Sequence, residues 1–218
     1  PKENIDLLEG SELNPVADDG NVYGYLNKVV NYIQNNDISN IAHYNHISNI
    51  IDIESYIDYI IFNTYIANMD WPMNNKKWWK DREDPNSKWR WVLFDTDISF
   101  KLNNVDHLWI GDLIGEPHQS NEGFFIFNNL IKNIQFKQKF LNRYLYFIEN
   151  VFNKDRVESL IRENQNNIES EYDNFYAKWP RVNNKSKWEK SIDEMIQFNN
   201  QRYHMMKTII KNLIDENN

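Results

Sequence analysis

The chain has 218 residues, of which 41% are hydrophobic and 15% aromatic, enough apolar material for the core of one large globular domain. A net charge of −8 and a pI near 5.2 exclude a surface built to wrap a nucleic-acid backbone, which needs clustered Lys and Arg. Cysteine is absent, so disulfides and thiolate metal sites are excluded, and no apolar run approaches the roughly 20 residues of a membrane-spanning helix.

From Ile5 to Gly20 the acidic residues, Gly10, Pro15 and Gly20 follow no steady period, which predicts an irregular leading loop. Tyr25, Val29, Tyr32 and Ile33 recur at helical spacing until Asn35-Asn36-Asp37 stops them. Ile41 to Ile51 predicts a short helix or turn. Asp52-Ile53-Glu54 then opens a longer helix with Tyr56, Tyr59, Ile60, Asn63 and Tyr65 to Ala67 on its buried face. It must stop near Asn68, because Pro72 drives Trp71 out of helical geometry and lacks an N–H to donate. Asp70 therefore falls on a loop directly after a buried helix.

Lys76 to Lys80 and Lys88 to Phe94 are dense in Trp, Val, Leu and Phe, and the turn-forming run Asp81 to Ser87 between them predicts a β-hairpin. Asp95 follows as the second strand exits. Asn103 to Gly123 reads as a long mobile loop. The remainder reads as three helices, Phe124 to Val151, Lys154 to about Lys178, and Lys187 to Asn217, with Pro180 and Asn183-Asn184 as the last break. Without an internal repeat or a low-complexity linker, the economical arrangement is a single domain over 1–218, mainly α with a small β-hairpin insert, of the α+β class. The chain begins at Pro1 with neither an initiator Met nor a signal-like segment, and is expected to be a piece of a longer precursor.

Two clusters carry chemistry. Asp70 is followed five residues later by Asn75, and Asp95 is followed two residues later by Asp97. A carboxylate to orient a hydroxyl, with an amide oxygen and a carboxylate to hold a hard cation, is the inventory of magnesium-dependent phosphoryl transfer. The bland alternatives are that Asp70 caps a turn formed by Asn74 and Asn75, and that one of the later acids caps a turn while the other pairs with a Lys. The hairpin opposes both, because pairing the strand after Asn75 with the strand before Asp95 brings the clusters together. If the strand stays regular through position 97, Asp95 and Asp97 share a face and repel unless a cation joins them. Trp71, Trp78, Trp79, Trp89 and Trp91 offer either a stacking platform for a purine or sugar, or hairpin core, the commoner use of tryptophan at alternating strand positions. His43, His46, His107, His118 and His204 have no zinc-site spacing, and no nucleophile-elbow or glycine-rich phosphate motif is present.

Asn68-Met-Asp70-Trp-Pro-Met-Asn-Asn75, Lys88-Trp-Arg-Trp91 and Asp95-Thr-Asp97-Ile-Ser-Phe100 resemble the spore coat protein H (CotH) kinase family. Asp6-Leu-Leu-Glu-Gly10, Asp52-Ile with Tyr56-Ile-Asp58-Tyr59, and Asn199-Asn-Gln-Arg202 are similar to its pattern as well, so the resemblance covers nearly the whole chain. It implies an atypical protein kinase that transfers the γ-phosphate of ATP, with Mg2+, to serine or threonine hydroxyls of coat or surface proteins, located in the spore coat or at the cell surface. By the same resemblance Asp70 orients the acceptor hydroxyl and takes its proton. Asn75 holds magnesium, with Asn74 in reserve, and Asp95 bridges metal to phosphates with Asp97 sharing that task. The pattern also departs from a typical protein kinase, which carries His-Arg before the catalytic acid and Lys two residues after it. Here Asn68-Met69 and Pro72 stand in those places. The resemblance further implies that the chain is a helical carboxyl lobe whose amino-terminal strand lobe must be supplied in cis. The rival classes are a non-catalytic surface module that binds glycan or protein through exposed aromatics, and a metal-dependent hydrolase, for which no further acid or His is identified beside Asp95 and Asp97.

Overall fold

The computed structural model describes residues 4–108, 122–180 and 184–216. Two compact units are formed, one from Pro1–Ser99 with Leu108–Arg143 and the other from Phe100–His107 with Tyr144–Asn218.

The first unit is organised on a four-stranded antiparallel sheet with strands β1 (Ile5–Gly10), β2 (Pro15–Asp19), β3 (Lys77–Asp81) and β4 (Arg90–Val92) in the order β2-β1-β3-β4. The irregular loop expected over Ile5 to Gly20 is therefore corrected to a strand pair. Its polar residues hide the period, and β1 gains its identity from neighbours on both sides, with Leu8 opposite Ala17 on one side and Trp78 on the other. Gly20 closes this pair at a φ of +74°, where an added Cβ would lie 2.9 Å from the Ile5 carbonyl oxygen.

The predicted hairpin is present as β3 and β4, with Trp78 opposite Trp91. The second strand is shorter than the expected Lys88 to Phe94, and the chain leaves the sheet after Val92. Behind the sheet lie helix α1 (a continuous run of Tyr23–Tyr25, the wider-turned Leu26–Val30, and Asn31–Asn35), α2 (Ile41–Ser48) and α3 (Ile53–Tyr65). Tyr25 of α1 sits 5.1 Å from the Trp78 ring and Tyr56 of α3 sits 4.5 Å from Trp91. Trp71, Trp78, Trp89 and Trp91 are buried, so these four tryptophans are core. Trp79 is half-buried, with the Arg90 guanidinium 6.0 Å over its ring.

The helix expected from Phe124 to Val151 is interrupted. Helix α4 (Phe125–Leu130) and helix α5 (Ile134–Tyr146) are separated at Asn133, whose side chain accepts from the N–H groups of Gln135 and Phe136 and donates to the carbonyls of Ile38 and Ser39. A buried amide that caps one helix and anchors a distant turn outweighs helical continuity. α5 runs on through a wider-turned stretch, Phe147–Val151.

In the second unit, α6 (Lys154–Glu169) and α8 (Lys185–Asp215) pack together, with the short α7 (Tyr172–Lys178) between them in sequence. The helix expected from Lys154 to Lys178 is thus two helices that part at Ser170-Glu171. Arg202 of α8 is fully buried and its Nη1 donates to the carbonyls of Val105 and His107, both at 2.8 Å, which fixes that short segment on the helix. Most of the long loop expected over Asn103 to Gly123, including His118, lies outside the described residues. Among the described residues no helix is long and apolar enough to cross a membrane.

Candidate functional site

The site belongs to the first unit and begins where α3 ends. Ala67 takes a left-handed φ of +49° and turns the chain, and Asn68, buried, donates to Asn63 Oδ1 at 2.9 Å while its own Oδ1 accepts from the Asp70 N–H at 3.2 Å. Trp71 fills the space beneath the loop and donates its indole N–H to the Tyr59 hydroxyl at 2.8 Å. The Trp71-Pro72 peptide is cis. The loop is thus held from below by a buried amide pair and a buried indole.

Its upper side is occupied by the Asp70 carboxylate. Asn74 Nδ2 donates to Asp70 Oδ1 and Asn75 Nδ2 to Asp70 Oδ2, each at 2.7 Å. Both asparagines are therefore engaged with Asp70, as expected of a turn, and Asn75 is engaged through its amide nitrogen. That leaves its Oδ1, a neutral oxygen donor of the kind hard cations take. Asn75 itself has a φ of +52°, a conformation asparagine tolerates better than other non-glycine residues.

The second cluster reaches the first through the backbone, where the Met69 N–H donates to the Ile98 carbonyl at 3.0 Å. Strand pairing alone does not complete the approach. The condition for Asp95 and Asp97 to share a strand face, a strand regular through position 97, is not met: both lie beyond β4 in an irregular segment, and Asp95 has a φ of +50°. Even so, their carboxyls meet. The Asp95 carboxyl is held above the ordinary aspartate range, first by partial loss of hydration, then by the Asp97 charge, a hydrogen bond with Asp97, and the Asp70 charge. Among the described residues no Lys or Arg forms an ion pair with Asp70, Asp95 or Asp97. Nor do any three acids or imidazoles among them stand close enough to form a metal cage of their own.

An open pocket of about 450 Å³ adjoins Asp70 and Asn75 and is walled by Gly10, Val16, Met73 and Phe94. Lys76 also lines it, and belongs to a pair that sequence reasoning missed. Lys76 is buried, with Nζ 2.7 Å from the Gly123 carbonyl oxygen and 3.6 Å from Glu12 Oε1, and Glu12 Oε2 accepts from the Ile126 N–H at 2.9 Å. Burial pushes the Glu12 carboxyl up and the Lys76 ammonium down, and each charge opposes the shift of the other. Nothing in the local sequence separates Lys76 from the half-exposed Lys77 beside it, which pairs with Glu9 and Asp18 at 3.0 and 2.9 Å.

A family model described as CotH kinase protein matches residues 10–206, which include every residue of both clusters. No curated protein and no solved structure matches the chain.

Proposed function

The chain belongs to the CotH kinase family, and from that premise we propose that it forms the catalytic, carboxyl-lobe part of a protein kinase that transfers the ATP γ-phosphate to a serine or threonine hydroxyl of a coat or surface protein. The observation that carries this reading is the meeting of Asp70, Asn75, Asp95 and Asp97 in one unit, with the carboxyl of Asp95 pushed up by lost hydration and then by its acidic neighbours, and no Lys or Arg among the described residues in an ion pair with these acids. Acids arranged in this way suit a divalent cation that arrives with the nucleotide.

In this assignment Asn75 Oδ1 and the carboxylates of Asp95 and Asp97 would hold Mg2+, which would supply charge neutralisation for the nucleotide phosphates. Asp70 orients the acceptor. Its two carboxylate oxygens are fixed by Asn74 and Asn75, and a hydroxyl brought within hydrogen-bond reach of either one delivers its proton there as the oxygen attacks phosphorus and ADP departs. The adjoining pocket gives the acceptor side chain room beside Asp70. The strand lobe that closes over adenine belongs, in this proposal, to the full-length protein.

The alternative of a surface module that binds glycan or protein is weakened, because Trp78, Trp89 and Trp91 are buried in the sheet core and only Trp79 of that set is half-exposed. The test is nucleotide binding and transfer by the full-length protein. Magnesium-dependent ATP binding is expected, and Asp95→Ala is expected to lower phosphoryl transfer on the order of a hundredfold or more while leaving the fold intact. ATP binding that ignores magnesium, or transfer unchanged in Asp95→Ala, overturns the assignment.

A further inference from the structure

We propose that the buried Glu12–Lys76 pair is a positioning device for the metal-holding Asn75, an inference that rests on the assignment of Asn75 as a cation ligand. Lys76 is the next residue along the chain, and three separate anchors hold it. Its carbonyl accepts from the Gly10 N–H at 3.1 Å, at the end of β1, where Gly10 has a left-handed φ of +92°. Its ammonium donates to the Gly123 carbonyl at 2.7 Å and faces Glu12 at 3.6 Å. Glu12 in turn accepts from the Ile126 N–H of α4 at 2.9 Å. The residue after Asn75 is therefore tied to the β1–β2 connection and to the start of α4.

That arrangement bears on Asn75 because its backbone stands at φ +52° and its side chain must hold Asp70 with one end and a cation with the other. A left-handed residue at the edge of a strand relaxes readily unless its neighbours over-determine it. The two side chains of the pair are each 2% exposed, so their charges have lost their hydration and gain back what their mutual contact, two backbone bonds and the Trp91 indole beside Glu12 return. Apolar residues of the same size would fill such a space at a cost set mainly by the bonds now made to the Ile126 N–H and the Gly123 carbonyl, but they would not fix the direction of the Lys76 side chain and the backbone that carries it. Positioning, rather than stability, is what a buried ion pair at this place supplies.

The experiment separates the two roles. Wild type, Glu12→Gln, the double variant Glu12→Leu with Lys76→Met, and Asn75→Ala are titrated with Mn2+ alone, followed by electron paramagnetic resonance, beside thermal unfolding and hydrogen exchange of the 70–77 segment. The double variant is expected to stay folded and cooperative, to bind Mn2+ tenfold or more weakly, and to exchange amides of 73–76 at least tenfold faster, with exchange in α3 unchanged. Wild-type affinity and exchange in a folded double variant overturn the proposal and leave the kinase reading standing, provided Asn75→Ala weakens Mn2+. If the double variant and Glu12→Gln both fail to fold, the pair is a stability element and the proposal is wrong. If wild type binds no Mn2+, or Asn75→Ala binds it as wild type does, the assignment of Asn75 falls and this inference with it.

Discussion

The two halves of the site are held by opposite means. In the Asp70 loop every polar side chain has its partner: Asn68 with Asn63, and Asn74 and Asn75 with Asp70. Across from it, the segment from Asp95 to Asp97 sets one acid against another beside a left-handed backbone, and a backbone bond from Met69 to Ile98 ties it to the loop. One half has its polar groups paired within the chain, and the other sets like charges together. Under the proposed function, a site divided in this way would keep the group that aligns the acceptor fixed while the nucleotide and its metal come and go.

Three measurements break or sharpen that contrast. The largest effect is expected from Asn68→Ala, which strips a buried partner from Asn63 and from the Asp70 N–H; a loss of about 2–3 kcal/mol in urea unfolding is expected. A loss below about 0.5 kcal/mol would show that the loop does not depend on its lower bonds. Asn74→Ala removes one of two donors to Asp70 at an exposed position, so about 1 kcal/mol or less is expected, with the Asn75 contact retained. Asp97→Asn lies at the other end of the scale, with unfolding at neutral pH unchanged or shifted slightly toward greater stability. A marked destabilisation there would mean that Asp97 is structurally required and that the like-charge repulsion is not real.

The same substitution has a pH signature. The Asp95 carboxyl titrates above its ordinary range in the folded chain, so the folded form binds that proton more tightly than the unfolded chain does. Stability from this group is therefore greatest at low pH and is lost as pH rises from the ordinary aspartate value through the elevated one. Asp97→Asn removes a neighbouring charge and should move the Asp95 carboxyl resonance in a carbon NMR titration downward; added Mg2+ should do the same in wild type. A titration unmoved by either change would remove the electrostatic argument for a cation here.

Much of this was legible in the order of residues, and the misses have physical causes. The α3 face, the stop before Pro72, the hairpin of β3 and β4 and the long final helix follow from periodicity and from proline and turn chemistry, which act over a few neighbouring residues. β1 and β2 were missed because a strand without strong alternation exists only through the partners that flank it. The break at Asn133 was missed for the same kind of reason, since the carbonyls of Ile38 and Ser39 that recruit its amide lie far away in sequence.

By itself the sequence determined the family and the inventory of the site: an acid and an amide five apart, and a second acidic pair after a strand rich in tryptophan. Only the tertiary structure decided that Asp95 leaves the strand before it meets Asp97, that the tryptophans are core, and that Lys76 is buried against Glu12 while Lys77 stays at the surface. The reason is the range of the forces involved. Residue type and local spacing fix which groups are available, whereas burial, and the hydration a charge loses on burial, depend on what the rest of the chain brings alongside.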